Sequence, residues 1–352
     1  MSATRQRGHR RLLSTAVCLA GAAVLVAGCT SNSSDDSGDG DRGSAQAASA
    51  NDDAGKDITI GFSAPAADHG WMAAITNAAK AQAEKYKDVK LTVAEGTNDV
   101  NAQISQVETF INDKVDAIVL LPFDGAALTP VAQKAMDAGI PVINVDREFD
   151  TPTSARVTIL GDNYGMGLSA GDYMCSQFKD NKNAVIAEIA GIDSLPLTQD
   201  RSRGFKDALS GCGLKVSNRV AAEFTVESGE EAASNLLQAA PKLDAIWNHD
   251  DDQGVGVLAA IKNSGRDEFF MVGGAGSANA MRSIKAGDSV LKATVVYPST
   301  QAADGVRLAR LVAQEKALSD LVEVEVPKQI TLTAPVVTKD NVDQYLDTAF
   351  ES

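Results

Sequence analysis

The chain has 352 residues, 47 acidic and 32 basic side chains, and a formal charge of −15, with three histidines and four cysteines. So acidic a surface repels phosphate backbones and excludes nucleic acid as a natural partner; it suits solubility instead.

In chain order, Arg5, Arg7, Arg10 and Arg11 form a basic start without an acid. Leu12-Leu13 and an uncharged stretch from Ala16 to Ala27 follow, ending at Val26-Ala27-Gly28-Cys29. This is the pattern of an export signal, and its apolar part is short for a bilayer of roughly 30 Å. The Val-Ala-Gly-Cys end resembles a bacterial lipobox. That implies removal of residues 1–28, a lipid on Cys29, and anchoring to the outer face of the cytoplasmic membrane. Arg10-Arg11 leaves general and twin-arginine export both open. Losing the four arginines takes the formal charge to about −19. Residues 29–56 are nearly all small or polar, with no large apolar side chain, so a disordered tether is expected. Within it, Gly38-Asp39-Gly40-Asp41-Arg42-Gly43 matches G-x-G-x-x-G, but it follows no strand and opens no helix, so it carries no dinucleotide signal.

From Asp57 onward about 296 residues remain, enough for two cores. Ile58 to Phe62 reads as a strand, Gly70 to Tyr86 as a helix, and Val89 to Ala94 as a strand. Asn98 is placed to cap the next helix, whose Ile104, Val107 and Ile111 share a face. Ala117 to Leu121 is a continuous apolar run of the kind buried on both sides in a parallel sheet. A helix through Leu128, Val131 and Ala135 ends at Gly139, ahead of Pro141 and the strand Val142 to Val145. Such alternation specifies an α/β fold with right-handed crossovers.

The unit then recurs. Val115-Asp116-Ala117-Ile118 is echoed by Leu243-Asp244-Ala245-Ile246, and Gly139 with Val142 to Val145 by Gly265 with Phe269 to Val272. Further strands are expected near Ala184–Ile189, Val216–Ala221, Ile246–Asn248 and Phe270–Gly273. Two lobes are expected, one large open sheet being the alternative. Of the cysteines, Cys18 leaves with the signal and Cys29 takes lipid. A Cys175–Cys212 bridge is expected in a compartment where disulfides persist, two buried thiols being the alternative. Neither lies in a C-x-x-C spacing.

Ligands of open parallel sheets bind beyond the carboxyl ends of the strands. At those ends stand Ser63, His69, Trp71 and Met72, then Asp146-Arg147, then Arg201, Phe224, Asp250 and Tyr297. Acids and guanidinium groups hold fixed hydroxyls, and flat rings cover the less polar faces of a sugar. Asp124, Asp251 and Asp252 read more simply as helix starts, Arg203 as a surface charge, and Trp247 as core or wall.

At these residues the chain resembles the periplasmic sugar-binding proteins of ABC importers, of the ribose-binding type, from about Asp57 to Ile330. The carrying stretches are Gly61-Phe62-Ser63 with His69-Gly70-Trp71, Val115 to Pro122, Gly139-Ile140-Pro141-Val142 with Val145-Asp146-Arg147, Gly161-Asp162-Asn163 with Ala170-Gly171-Asp172-Tyr173, and Arg201 with Gly204-Phe205. The resemblance implies two doubly wound lobes joined by a three-segment hinge, the type I binding-protein fold, closing on one sugar. It implies a first lobe of 57–161 plus 298–327 and a second of 162–297 plus 328–352. Ser63, His69, Trp71, Met72, Asp146 and Arg147 would line the first side, Arg201, Phe224 and Asp250 the second, with Tyr297 near the hinge. It also implies a monomer that serves an ABC permease with a cytoplasmic ATPase. His69, Leu121, Asp250, Ala275 and Tyr297 depart from the ribose binders, which points to another pentose, a hexose or a sugar alcohol.

Other functions fit less well. There is no P-loop, no glycine fingerprint after a strand, no H-E-x-x-H and no G-x-S-x-G beside His69 or His249, so neither enzyme, cofactor nor metal is expected. Asp146 and Asp250 as a glycosidase pair is the distant alternative. A repressor of the lac type would need a helix-turn-helix where the signal and tether stand. A sensory protein feeding a receptor kinase would use the same binding chemistry.

Overall fold

Strands that carry apolar side chains on both faces must be covered on both faces, as Ala117–Leu120 and Val142–Val145 require. In a computed structural model, which describes residues 51, 53–316 and 326–352, β1 (Ile58–Ser63), β2 (Val89–Val93), β3 (Ala117–Leu120), β4 (Val142–Val145) and β5 (Val157–Gly161) are parallel strands of one sheet. Val119, Ile143 and Val145 pack with Ile75 and Val306 on one face, whereas Ile118, Leu120 and Val142 pack with Val107, Phe110 and Leu128 on the other. The covering helices are α1 (Gly70–Glu84), α2 (Val100–Asn112) and α3 (Gly125–Asp137). The signal residues, Cys29 and all of the tether up to residue 50 lie outside the described residues.

The second sheet comprises β6 (Ile186–Ala190), β7 (Val216–Ala221), β8 (Ala245–Asn248), β9 (Phe270–Ala275) and β10 (Leu291–Val296). Its helices are α4 (Asn163–Gln177), α5 (Pro196–Gly211), α6 (Val226–Ala239), α7 (Asp251–Ser264) and α8 (Ala278–Ala286). After β10 the chain returns to the first sheet with α9 (Gln301–Ala313), adds β11 (Gln329–Leu332) beside β5, and ends with β12 (Val336–Thr338) antiparallel to β10. The two six-stranded orders are thus β11-β5-β4-β3-β1-β2 and β12-β10-β9-β8-β6-β7. Two doubly wound α/β lobes result, as the alternating pattern implied. The chain crosses between them near Gly161–Asn163, Tyr297–Thr300 and Thr333–Pro335.

Three expectations need correction. The last crossing follows Leu332 and not residue 327, because Gln329 to Leu332 pairs in register with Thr158 to Gly161 of the first sheet. The end of the expected tether is tied down: the Arg310 guanidinium donates to the carbonyls of Asn51 and Asp53, and Asp88 accepts from the Gly55 N–H. Asp88 and Arg310 form a buried ion pair at 2.7 Å, with Arg310 also over the Tyr86 ring. Burial alone would raise the Asp88 carboxyl, but hydrogen bonds from Arg310 and Gln314 hold it below the usual carboxylate range. Finally, Asp99 caps α2, and its neighbour Asn98 instead accepts from Ala66 and donates to Asp68.

The repeated tetrapeptides have one physical meaning. Asp116, entering β3, accepts from the Thr59 N–H at 2.8 Å; Asp244, entering β8, accepts from the Val185 N–H at 2.7 Å. Each carboxylate ties the strand it opens to the neighbouring strand of its own sheet, β1 in the first and β6 in the second. Cys175 of α4 and Cys212 at the end of α5 are bridged, S–S 2.11 Å.

Candidate functional site

Both sheets turn their carboxyl ends to one cleft. Three residues there hold left-handed backbones without being glycine: Asp146 after β4 (φ 66°), Phe224 after β7 (φ 62°) and Ala275 closing β9 (φ 82°). Each costs of order 1 kcal/mol or more, a strain found where side chains must be aimed. All three line one small cavity between the lobes, of about 30 Å³.

From the first lobe come His69, Trp71 and Met72 at the start of α1, with Asp146 and Arg147. The Asp252 carboxylate, in the first turn of α7, accepts from the Trp71 N–H at 2.9 Å, which joins the lobes directly. His69 caps α1: its Nδ1 lies 3.3 Å from Asp252 Oδ2 and 3.4 Å from the Met72 N–H. One nitrogen cannot donate and accept at once, so a proton on Nδ1 favours Asp252 and gives up the cap. Burial lowers the His69 pKa, but the carboxylates of Asp252, Asp250 and Asp68 outweigh it and leave it raised.

Arg147 donates to the Phe123 carbonyl at 2.6 Å and lies over the Phe123 ring. Its Nε is buried without a hydrogen-bond partner, 3.8 Å from Asp146. Burial lowers its pKa, partly offset by Asp146. Phe123 is itself held: Gln103 accepts from its N–H and donates to the Leu121 carbonyl and to Ser63 Oγ. Ser63, expected as a cleft residue, is therefore corrected to a support. It is fully buried on the α2 face, bonded to Gln103 and Gln106, and does not line the cavity.

The second lobe contributes Arg201, Phe224 and Asp250. Arg201 is 3% exposed, donates to Asn163 Oδ1 at 2.9 Å and to the His249 carbonyl at 3.2 Å, and faces the rings of Phe224 and Tyr297. A glycine pair places it. A Cβ on Gly167 of α4 would sit 2.0 Å from the Arg201 carbonyl, and one on Gly204 of α5 2.1 Å from the Tyr164 carbonyl, so the two helices touch backbone to backbone. Asp250 caps α7 through Asp252 and Gln253, and its carboxyl is pushed up to about 6 by burial and then by Asp252.

Tyr297 closes the hinge side. It donates to Asp146 at 2.5 Å, accepts from Asn163, and packs on Trp71, whose indole N–H donates to the Tyr297 carbonyl. Burial and Asp146 raise its pKa. The expectations missed Leu197 and Ala275 as lining residues, and Asn163 and Asp252 as organisers. Leu197 stands in the first turn of α5, beyond the carboxyl end of β6, which the strand-end rule could have flagged. Asp124, Asp251 and Asp252 do begin helices, and Trp247 is core. A larger cavity of about 350 Å³ opens on the other side of Arg147, sharing Asp146, Arg147 and Leu197 and lined also by Glu148 and Asp200.

Two α/β lobes, three crossings and a polar cleft at both sets of strand ends define a two-lobed solute-binding fold. A family model described as a periplasmic binding protein domain matches residues 60–317, and the chain belongs to that family. It is 29% identical over 280 residues to the ribose import binding protein of Bacillus subtilis, covering 78% of this chain and 88% of that one. It is 31% identical over 214 residues to the galactofuranose-binding protein of Escherichia coli, covering 59% and 67%. The solved arabinose-transporter binding component of Shewanella sp. ANA-3, bound to L-arabinofuranose, matches with TM-score 0.73 at 26% identity, covering 82% of this chain and 94% of that one.

Proposed function

We propose that this protein captures one monosaccharide or sugar alcohol between its lobes and delivers it to an ABC permease with a cytoplasmic ATPase. The observation that carries this is the facing of Asp146 and Arg147 with Arg201 and Asp250 around the rings of Trp71, Phe224 and Tyr297. Carboxylates and guanidinium groups give charge-assisted hydrogen bonds to hydroxyls, each of roughly 1.5–3 kcal/mol when water is excluded. The rings supply flat apolar walls. The relatives it matches are named for ribose and galactofuranose, and a further one from Mycolicibacterium smegmatis for xylitol.

Binding works by a shift of population. The space of about 30 Å³ among these residues is small for a monosaccharide, so the lobes part to admit the ligand and close on it. The ligand gains contacts in the closed form that the open form lacks. The closed shape is what the permease reads. Export by the signal of residues 1–28, a lipid on Cys29, and a monomer held at the outer face of the cytoplasmic membrane complete the proposal. Nothing at the site favours chemistry on the sugar, since Asp146 is engaged by Tyr297 and Asp250 by its own helix.

A thermal-shift screen against pentoses, hexoses and polyols tests the reading, because a ligand of the folded state raises Tm by mass action. Binding of one or more of these sugars is expected, and no shift with any of them at millimolar concentration would refute it. Radiolabelled palmitate incorporation that disappears in Cys29→Ser tests the anchor.

A further inference from the structure

Glu188 stands in the middle of β6, a strand buried on both faces, and is 2% exposed. Such strands are built from apolar side chains, and an ionised carboxylate there is costly unless it is paired and fully hydrogen-bonded. Glu188 Oε1 meets both conditions. It accepts from Ser202 Oγ and from His249 Nε2 at 3.0 Å, and lies 3.5 Å from Arg219 Nε. Arg219 in turn is paired at the surface with Asp193.

What Glu188 holds is more telling than its own burial. Ser202 follows Arg201 on α5, and His249 precedes Asp250 at the end of β8. One carboxylate therefore grips the chain neighbours of two cleft residues that come from different elements. The His249 side chain is fully buried and packs against Trp247, ring centroids 4.1 Å apart and planes tilted by 41°, and its carbonyl accepts from Arg201 Nη1. A slack His249 would move both the Asp250 backbone and an acceptor of Arg201. Neither His249 nor Glu188 reaches the cavity.

We propose that Glu188 is a positioning residue for ligand binding, setting Arg201 through Ser202 and His249, and Asp250 through His249. This rests on the sugar-binding reading above. An apolar side chain in β6 would fill the same space but leave Ser202 and the His249 imidazole without the acceptor that fixes them.

The test is a double-mutant cycle on the full chain with Glu188→Gln and Arg201→Lys, read by calorimetry with D-ribose, L-arabinose, D-galactose, xylitol and myo-inositol. For whichever of these the unmodified protein binds, Glu188→Gln should weaken binding by about tenfold. In the Arg201→Lys background the same change should cost about threefold, because one of the two groups it positions is already altered. Unchanged affinity in Glu188→Gln, or additive losses, overturns the proposal. Should Glu188→Gln not fold, Ser202→Ala takes its place in the cycle, with the same criteria. If the unmodified protein binds none of the five probes, the cycle has no readout, and the wider thermal-shift screen decides the sugar reading. Glu188 is then judged on ligand-free protein by NMR. A slowly exchanging Arg201 Nη1–H, the one donated to the His249 carbonyl, that becomes fast in Glu188→Gln supports the positioning role, and an unchanged one overturns it.

Discussion

The Tyr297 hydroxyl, at the exit of the second sheet, donates at 2.5 Å to the Asp146 carboxylate, at the exit of the first. One hydrogen bond therefore spans the hinge and fixes the orientation of a cleft acid whose backbone is left-handed. Tyr297→Phe removes the hydroxyl and leaves Asp146 and Asn163 each short of a buried partner. Loss of about 1–3 kcal/mol of unfolding free energy is expected, together with about tenfold weaker sugar binding, roughly 1.4 kcal/mol. Chemical denaturation and calorimetry read the two effects; full affinity in the variant would show that Asp146 needs no such support.

Asp250 gives a pH signature. Its carboxyl is pushed up to about 6 by burial, then by Asp252, whereas in the unfolded chain it titrates near 4. Between those values the folded chain holds a proton that the unfolded chain has lost, so stability falls as pH rises through that window. Asp250→Asn keeps a capping side chain and should lack this loss. The difference between wild-type and variant Tm, followed from pH 3.5 to 7, should change by the equivalent of roughly 1–3 kcal/mol. A flat difference curve sinks the assignment.

The paired carboxylates Asp116 and Asp244 do the same work in the two lobes, each accepting from a backbone N–H at the start of the adjacent strand. Asp116→Ala and Asp244→Ala should each cost about 1–2 kcal/mol, and because they lie in separate sheets the double variant should show the sum. Urea unfolding checks both statements. Strongly unequal losses would mean that the repeat is one of sequence only.

The bridge between Cys175 and Cys212 ties α4 to α5 across a separation of 37 residues. By loop-closure entropy its removal as Cys175→Ala/Cys212→Ala should cost up to about 4 kcal/mol. The same helices carry Arg201 against Asn163, so the double variant should also bind sugar less tightly. Equal denaturation midpoints with and without reductant would contradict the stability effect.

What the sequence revealed and what it hid follow from periodicity. The continuous apolar runs of β3 and β4 disclosed sheets covered on both sides, and residues just beyond the strands, such as Asp146 and Phe224, could be named from the run alone. Ser63 was misread because a continuous run hides parity. Alternation along β1 puts Ile58, Ile60 and Phe62 toward α1, and Gly61 and Ser63 toward α2. Gln329 to Leu332 alternates as an edge strand of either sheet would, and only pairing with β5 decides its lobe. Asn98 and Asp99 are adjacent, equally good caps, and the choice depended on Asn98 being needed by Ala66 and Asp68. Asp252 looked like an ordinary first-turn acid, and its bond to Trp71 arises only once the lobes meet.

The narrow space enclosed by Trp71, Tyr297 and Arg201, about 30 Å³, has a practical corollary for crystallography. A lattice built from molecules in this conformation holds the lobes at this spacing, which leaves little room for a sugar diffused into finished crystals. Complexes are to be prepared by mixing ligand with protein before nucleation, and crystals that crack on exposure to sugar would report the jaws forcing themselves apart.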